Sequence, residues 1–174
     1  ALFFTDKQQV YKVRLAELED GKVAQMGIFV PGRLGMDEGE NILAMVITGD
    51  YSGFVLFAFE NGKIAKVPLS AYATKTNRKR LANAYSGKSR LVEILYCPED
   101  TALLVRTTNN RALLFHTAMI LPKATRDTIG VQVVTLKAKA VLDNIVPVDP
   151  EQLEQLKKYS VKNIPAAGVL AKDL

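Results

Sequence analysis

LFAFENGKIAKVPLSAY, running from Leu56 to Tyr72, reads as two apolar strands joined by a polar turn and closed by a short leucine-bearing docking segment. Asn61-Gly62 is a strong hairpin signal, because a type I′ turn requires positive φ at both central residues. The same pattern stands at Leu2–Leu18 (LFFTDKQQVYKVRLAEL) and at Leu104–Ile120 (LVRTTNNRALLFHTAMI), at spacings of 54 and 48 residues. The turns fall in register at Lys7-Gln8, Asn61-Gly62 and Asn109-Asn110. Each hairpin is followed by a loop and another apolar strand: Asn41–Ile47, Arg90–Tyr96 and Ala140–Val146.

Two independent landmarks therefore recur at close to 50 residues. A repeat of that length built from short strands predicts an all-β, propeller-like fold of about three blades, each leaving an apolar face for its neighbour. An ordinary β-sandwich with coincidental spacing is the alternative. The expected division is a body over residues 1–148, in repeats 1–53, 54–100 and 101–148, and a closing segment over 149–174. In that segment Asp149-Pro150-Glu151 predicts a helix start, with Asp149 as N-cap and Pro150 at the first helical position. Leu153, Leu156 and Lys157-Lys158 complete a short amphipathic helix to about Tyr159. From Ser160 onward the sequence reads as an irregular tail.

Composition bounds the chemistry. A chain of 174 residues with 48% hydrophobic content can bury one ordinary core. Its apolar runs, such as Phe54–Phe59, are too short to cross a bilayer, and no secretory signal opens it. The start at Ala1-Leu-Phe-Phe looks like a cut from a longer polypeptide. One cysteine (Cys97) and one histidine (His116) argue against a disulfide or a zinc cluster, so no metal or cofactor is expected. Gly87-Lys88-Ser89 lacks the glycine a phosphate loop needs where Ala82 stands. His116 has no nucleophile or acid beside it in sequence. Neighbouring acids such as Glu19-Asp20 and Asp37-Glu38 read as solvated turn charges, and no catalytic constellation emerges.

Charge is the informative property. The net charge is +5, yet residues 1–53 hold five basic and eight acidic side chains. Residues 54–100 hold eight and four, and residues 101–148 hold six and two. Between Asn61 and Val92 stand eight Lys or Arg and no acid. A solvated surface normally intersperses both signs, so such segregation points to an anionic partner. The cations cluster in the loop after each hairpin: Arg33 in the first repeat, Lys75, Arg78, Lys79 and Arg80 in the second with Lys88 and Arg90 beyond, and Lys123 and Arg126 in the third. Equivalent loops of a propeller emerge along one rim, so these nine residues are the candidate site for a long polyanion. Tyr72 and Tyr85 flank the second loop; packing between blades is the favoured reading over stacking on bases.

At these loops the sequence resembles the C-terminal domain of type IIA topoisomerase A subunits, the gyrase and topoisomerase IV family. The resemblance rests on Lys66-Val-Pro-Leu-Ser70 with its basic loop and on Gly130-Val131 before an apolar strand. It covers residues 1 to about 146 and is sharpest in the second and third repeats, while Asp37, Glu38 and Glu40 depart from it in the first. It implies a β-pinwheel, whose blades exchange strands and whose basic rim binds and bends duplex DNA without reading sequence. It also implies a non-catalytic part of an enzyme whose tyrosine lies elsewhere. The partners implied are duplex DNA, the rest of the A subunit, and the ATPase B subunit, in a bacterial cytoplasm at the nucleoid and with no membrane. The gyrase box with its Gly-Gly is absent, which favours a topoisomerase IV-like role, or a divergent gyrase-like subunit, over true gyrase wrapping. A propeller-like module for an acidic protein partner is the alternative function; a propeller enzyme would need converging acids.

Overall fold

The computed structural model describes residues 1–14, 34–74 and 79–171. It contains three four-stranded antiparallel sheets that pack face to face in succession. In chain order the strands are β1 (Leu2–Thr5), β2 (Val10–Lys12), β3 (Ile42–Val46), β4 (Phe54–Phe59), β5 (Lys63–Pro68) and β6 (Arg80–Leu81). They continue with β7 (Leu91–Cys97), β8 (Ala102–Thr107), β9 (Arg111–His116), β10 (Val131–Gln132), β11 (Leu142–Pro147) and β12 (Val169–Leu170). The sheet orders are β3-β1-β2-β6, β7-β4-β5-β10 and β11-β8-β9-β12.

Register confirms the repeat residue by residue. Leu2 faces Lys12, Leu56 faces Lys66 and Leu104 faces Leu114 across the hairpins. The same three residues face Val46, Leu95 and Val146 on the third strand. The fourth strand is not local. β6 comes from the second basic loop and joins the first sheet, β10 from the third loop joins the second, and β12 from the C-terminal segment joins the third. This strand exchange is the β-pinwheel arrangement, and it crosses the repeat boundaries drawn from sequence.

Two glycines admit the exchanged strands. Gly130 has φ +81°, and a Cβ there would lie 2.4 Å from the Ile64 carbonyl oxygen. Gly168 has φ +78°, and its Cβ would lie 2.7 Å from the Ala112 oxygen at the matching place in the next sheet. The stretch read as an irregular tail thus carries a second Gly-Val and supplies a strand. The hairpins also differ from the expected type I′ turn: only the second residue of each pair, Gln8, Gly62 and Asn110, has positive φ. Gly62 N–H bonds the Phe59 oxygen at 3.0 Å and Asn110 N–H the Thr107 oxygen at 3.2 Å. That is a type I turn followed by a left-handed residue, a three-residue hairpin loop.

The core follows from alternation. Leu2, Phe4 and Val10 of the first sheet meet Val55, Phe57, Phe59 and Val67 of the second. Phe4 contacts Phe57 and Tyr72 edge-on at 5.6 and 5.3 Å between centroids, while Phe57 stacks on Tyr85 at 5.2 Å. The other face of the second sheet, Leu56, Ala58 and Ile64, meets Leu103, Val105, Leu113 and Phe115 of the third. The third sheet's outer face is covered by the C-terminal segment through Val148, Tyr159 and Ala171. On the first sheet's outer face Phe3 and Tyr11 pack with Leu34 and Met36. Met45 remains 50% exposed there, whereas Ile94 and Ile145 at its register position are 8% and 2% exposed beneath a neighbouring sheet.

The expected helix forms in pieces: a 3-10 turn over Pro150–Gln152, α1 over Leu153–Leu156 and a second 3-10 turn over Lys157–Tyr159. Pro150 takes the first helical place as read, but Asp149 makes no side-chain cap bond. Among the described residues no helix is long and apolar enough to cross a membrane.

Candidate nucleic-acid interface

Three of the nine candidate residues, Arg33, Lys75 and Arg78, lie outside the described residues. The other six separate into two groups.

The first group gathers where the second basic loop passes from the second sheet to the first. The loop leaves after the 3-10 turn Leu69–Tyr72 and returns at Lys79. Both ends are anchored. The buried Tyr72 hydroxyl donates to the Ala84 carbonyl at 2.7 Å, and the Tyr85 hydroxyl to the Thr5 carbonyl at 2.6 Å. Lys12 N–H bonds the Lys79 carbonyl at 2.7 Å. Both tyrosines are therefore packing residues, 0% and 2% exposed. Burial pushes both phenols above their usual value. Lys79 is exposed beside this anchor.

The third repeat's loop reaches the same place. Arg126, half-buried, donates from Nη1 to the Ala71 carbonyl at 3.1 Å. Lys123 is exposed, with its N–H on the Lys66 carbonyl at 2.9 Å. Candidate cations from two repeats thus meet at one seam.

Arg80 belongs to the same loop but is engaged internally. Its Nε donates to Gln9 Oε1, its Nη2 lies 3.0 Å from Asp37 Oδ2, and its guanidinium sits over the Tyr11 ring at 5.6 Å. Beneath it Glu40 is buried and accepts from the Thr5 hydroxyl at 2.5 Å and the Tyr11 hydroxyl at 2.7 Å. It also accepts from Gln9 Nε2 at 3.1 Å and Asp37 N–H at 3.0 Å. Burial raises the Glu40 pKa, but the bonds from Thr5, Tyr11 and Asp37 outweigh it and hold the carboxyl below its usual value. Burial, with Glu40 as neighbour, pushes the Tyr11 phenol up to about 12. Two of the acids that depart from the family pattern, Asp37 and Glu40, thus form the scaffold beside β6.

The second group, Lys88 and Arg90, sits at the hairpin-turn end of the sheets. They line a cleft of about 420 Å³ with Asp6, Gln8, Leu43 and Tyr85. Arg90 pairs with Glu60 at 3.0 Å while remaining 81% exposed. The nine candidates are therefore not one unbroken stripe among the described residues.

One cation escaped the sequence reading. Lys12 lies in the repeat with net negative charge, yet its Nζ donates to Thr74 Oγ1 at 2.9 Å, at the foot of the basic loop. Its register match to Lys66 was the available signal. Among the described residues no group of metal-binding side chains occurs. His116 Nδ1 accepts from Ala118 N–H at 3.3 Å, closing a 3-10 turn. Burial raises the Cys97 thiol pKa, with Asp100 adding to the effect.

Sheet order, strand exchange and a loop at each seam define a fold class, the β-pinwheel. Solved C-terminal domains of type IIA topoisomerase A subunits share this fold and superpose on the chain. The C-terminal domain of DNA topoisomerase IV matches with a TM-score of 0.79 over 97% of this chain and 57% of its own, at 21% identity. That of E. coli ParC gives 0.67 over 99% and 76%, at 12% identity, and that of DNA gyrase A gives 0.63 over 97% and 58%, at 14%. At such identities these likenesses establish the fold.

In sequence the chain is similar to the A subunit of DNA gyrase. It is 27% identical to the Mycoplasma pneumoniae protein over 131 residues and 24% identical to that of Staphylococcus aureus over 139. These matches span 75% and 78% of this chain but 16% of each relative's length. No family model matches. The resemblance read from Lys66–Ser70 and Gly130-Val131 therefore stands in both sequence and fold.

Proposed function

We propose that this chain is a non-catalytic, DNA-binding domain in the A subunit of a bacterial type IIA topoisomerase, contacting the duplex backbone through its basic loops without sequence specificity. The observation that carries this reading is the seam between the first two sheets. There the second loop is anchored at both ends, and Arg126 of the third loop docks on Ala71. Lys and Arg so placed neutralise backbone phosphates and release counterions, which gives affinity without reading bases. Bending a duplex of 20–30 base pairs costs about 1–6 kcal/mol, which contacts at successive loops must offset. Residues 1–148 form the binding body in this reading, and 149–174 close its last sheet. The protein partners are the remainder of the A subunit, together with the ATPase B subunit, in the bacterial cytoplasm.

Titration with duplex DNA over a range of salt tests this. Neutralising about six phosphates gives a slope of log K against log salt near −5. A slope near zero, or affinity independent of duplex length, overturns it. The Arg80–Asp37 pair, a carboxylate already seated on a loop arginine, favours a second reading in which an acidic protein is the partner. That reading requires no rise of affinity with duplex length.

A further inference from the structure

The shared register makes Lys12 and Lys66 equivalent, since each faces the same leucine position across its hairpin. Their surroundings differ. Lys66 is 3% exposed in its side chain, and its Nζ lies 2.7 Å from Asp100 Oδ1 and 3.0 Å from the Thr117 carbonyl, over the Phe54 ring. Its charge is satisfied from within, and Asp100 is held there by the Thr117 hydroxyl at 2.8 Å as well. At the seam between the first two sheets the place matching Asp100 is taken by Ser52 and that matching Thr117 by Leu69. Lys12 instead donates to the Thr74 hydroxyl and lies 5.9 Å from the centre of the Tyr51 ring.

Where the other seam has an acid, this one receives a second cation. Arg126 and Lys12 are held by the same short segment, Ala71 to Thr74, the first through a carbonyl and the second through a side chain. Among the described residues no carboxylate lies within ion-pair distance of either. Burial, and after it the charge of Arg126, pulls the Lys12 amine below its usual pKa. Two half-buried like charges held by one short segment repel, and a doubly coordinated anion relieves that repulsion. Arg126 still has N–H groups beyond the one on Ala71, in the fork geometry that suits a tetrahedral oxyanion, and Lys12 adds a point charge.

We propose that Lys12 and Arg126 form a subsite for a single phosphate group at the seam of the first and second sheets, filled by a phosphodiester of duplex DNA. The inference rests on the DNA-binding reading for its source of phosphate, not for its chemistry. It makes Lys12, from the repeat that is acidic overall, a binding residue, and it leaves the Lys66 seam closed to anions.

Lys12→Gln and Arg126→Gln, singly and together, are compared with Lys139→Gln, an exposed control in the turn before β11. Each is titrated with a duplex of about 25 base pairs. Each seam variant should weaken binding by about three- to tenfold and reduce the salt slope by about one, while the control changes affinity less than twofold. The double variant should lose less than the product of the single losses, because one phosphate serves both side chains. Inorganic phosphate is titrated separately against the intact chain while the Lys12 Nζ resonance is followed with pH. Phosphate should raise the Lys12 pKa, and Arg126→Gln should abolish the rise. Lys12→Met, which keeps the aliphatic stem, replaces Lys12→Gln if circular dichroism shows loss of fold. Duplex binding with seam variants that behave like the control overturns the subsite and leaves the DNA reading intact. A phosphate response at Lys12 without duplex binding keeps the subsite and overturns the DNA reading. Absence of both removes both.

Discussion

Glu40 offers the sharpest test of how the first sheet holds its exchanged strand. One carboxylate accepts from Thr5, Gln9, Tyr11 and the Asp37 N–H, and Thr5 and Tyr11 are both fully buried. Glu40→Ala removes the shared acceptor and leaves those donors without partners that water can readily replace. A hydrogen bond to a charged group is worth about 1.5–3 kcal/mol, and each buried donor left unsatisfied costs about 1–3 kcal/mol, here the Thr5 and Tyr11 hydroxyls. Glu40→Ala should therefore lower stability by about 3–5 kcal/mol, a large share of the roughly 5–15 kcal/mol typical of a domain. Glu40→Gln keeps the volume and one acceptor oxygen but turns an amide N–H₂ toward donors, so about 1–2 kcal/mol is expected. Because Asp37 is positioned through its N–H on Glu40, the Asp37–Arg80 pair should loosen too. Urea denaturation followed by circular dichroism gives both values. If both variants unfold within about 0.5 kcal/mol of the parent, the network does not hold β6 and the reasoning fails.

Gly130→Ala should destabilise by more than the roughly 1–2 kcal/mol cost of a left-handed alanine, because its Cβ would meet backbone at 2.4 Å; Gly35→Ala, with φ +66° and open space, should cost only the conformational part. Thermal melts that rank Gly35→Ala as the worse variant would refute this. The Glu40 and Asp100 carboxyls are both held below their usual pKa, the first by hydrogen bonds that overcome burial, the second mainly by the Lys66 bond. Groups with lowered folded pKa stabilise above their unfolded value, so stability should be flat at neutral pH and fall below about pH 5. Stability that rises on acidification through that window would contradict the assignment. Cys97 is buried with a raised pKa, so a thiol reagent at about pH 8 should modify it only as fast as the chain opens; rapid labelling of the folded chain would exclude this. Asp37→Asn should free Arg80 and raise duplex affinity about two- to threefold, with stability changed by at most about 1 kcal/mol since the pair is exposed. A weaker affinity would mean that Asp37 holds Arg80 in its binding pose.

The fold was legible wherever the pattern was long. Hairpins of the Leu56–Tyr72 type carry alternation, a turn and a fixed spacing together, and each signal agrees with the others. The exchanged strands were not legible, because Arg80–Leu81, Val131–Gln132 and Val169–Leu170 are two residues each and show no period. Gly168-Val169 repeats Gly130-Val131, yet its meaning appears only when both glycines press on matching carbonyls. The candidate site was legible as charge and not as partnership. Arg80 meets Gln9 and Asp37 from 71 and 43 residues away, and no local signal separates such an arginine from a free one. Lys12 was hidden for the converse reason: the net charge of its repeat averaged away a cation that folding brings to the loop.

Strand exchange bears directly on how such a surface can bind. The second loop leaves one sheet and enters the sheet before it, so Lys79 stands where the chain crosses, its carbonyl on the Lys12 N–H. The third loop does the same, and Arg126 ties it back across to Ala71. The flanks of the second loop are anchored, at Tyr72 and at Lys79, which lowers the ordering cost that wholly free flanks would meet on binding. Affinity should then depend on whether a duplex is long enough to touch both loops. Binding should climb steeply from about 10 to 20–30 base pairs and level off once both are covered, since the far face of the third sheet is closed by the C-terminal segment. Disconnecting the loops by Arg126→Lys, which keeps the charge but loses the fork on Ala71, should flatten that climb. An undiminished length dependence in that variant would show that the loops act independently and that the seam does not organise the surface.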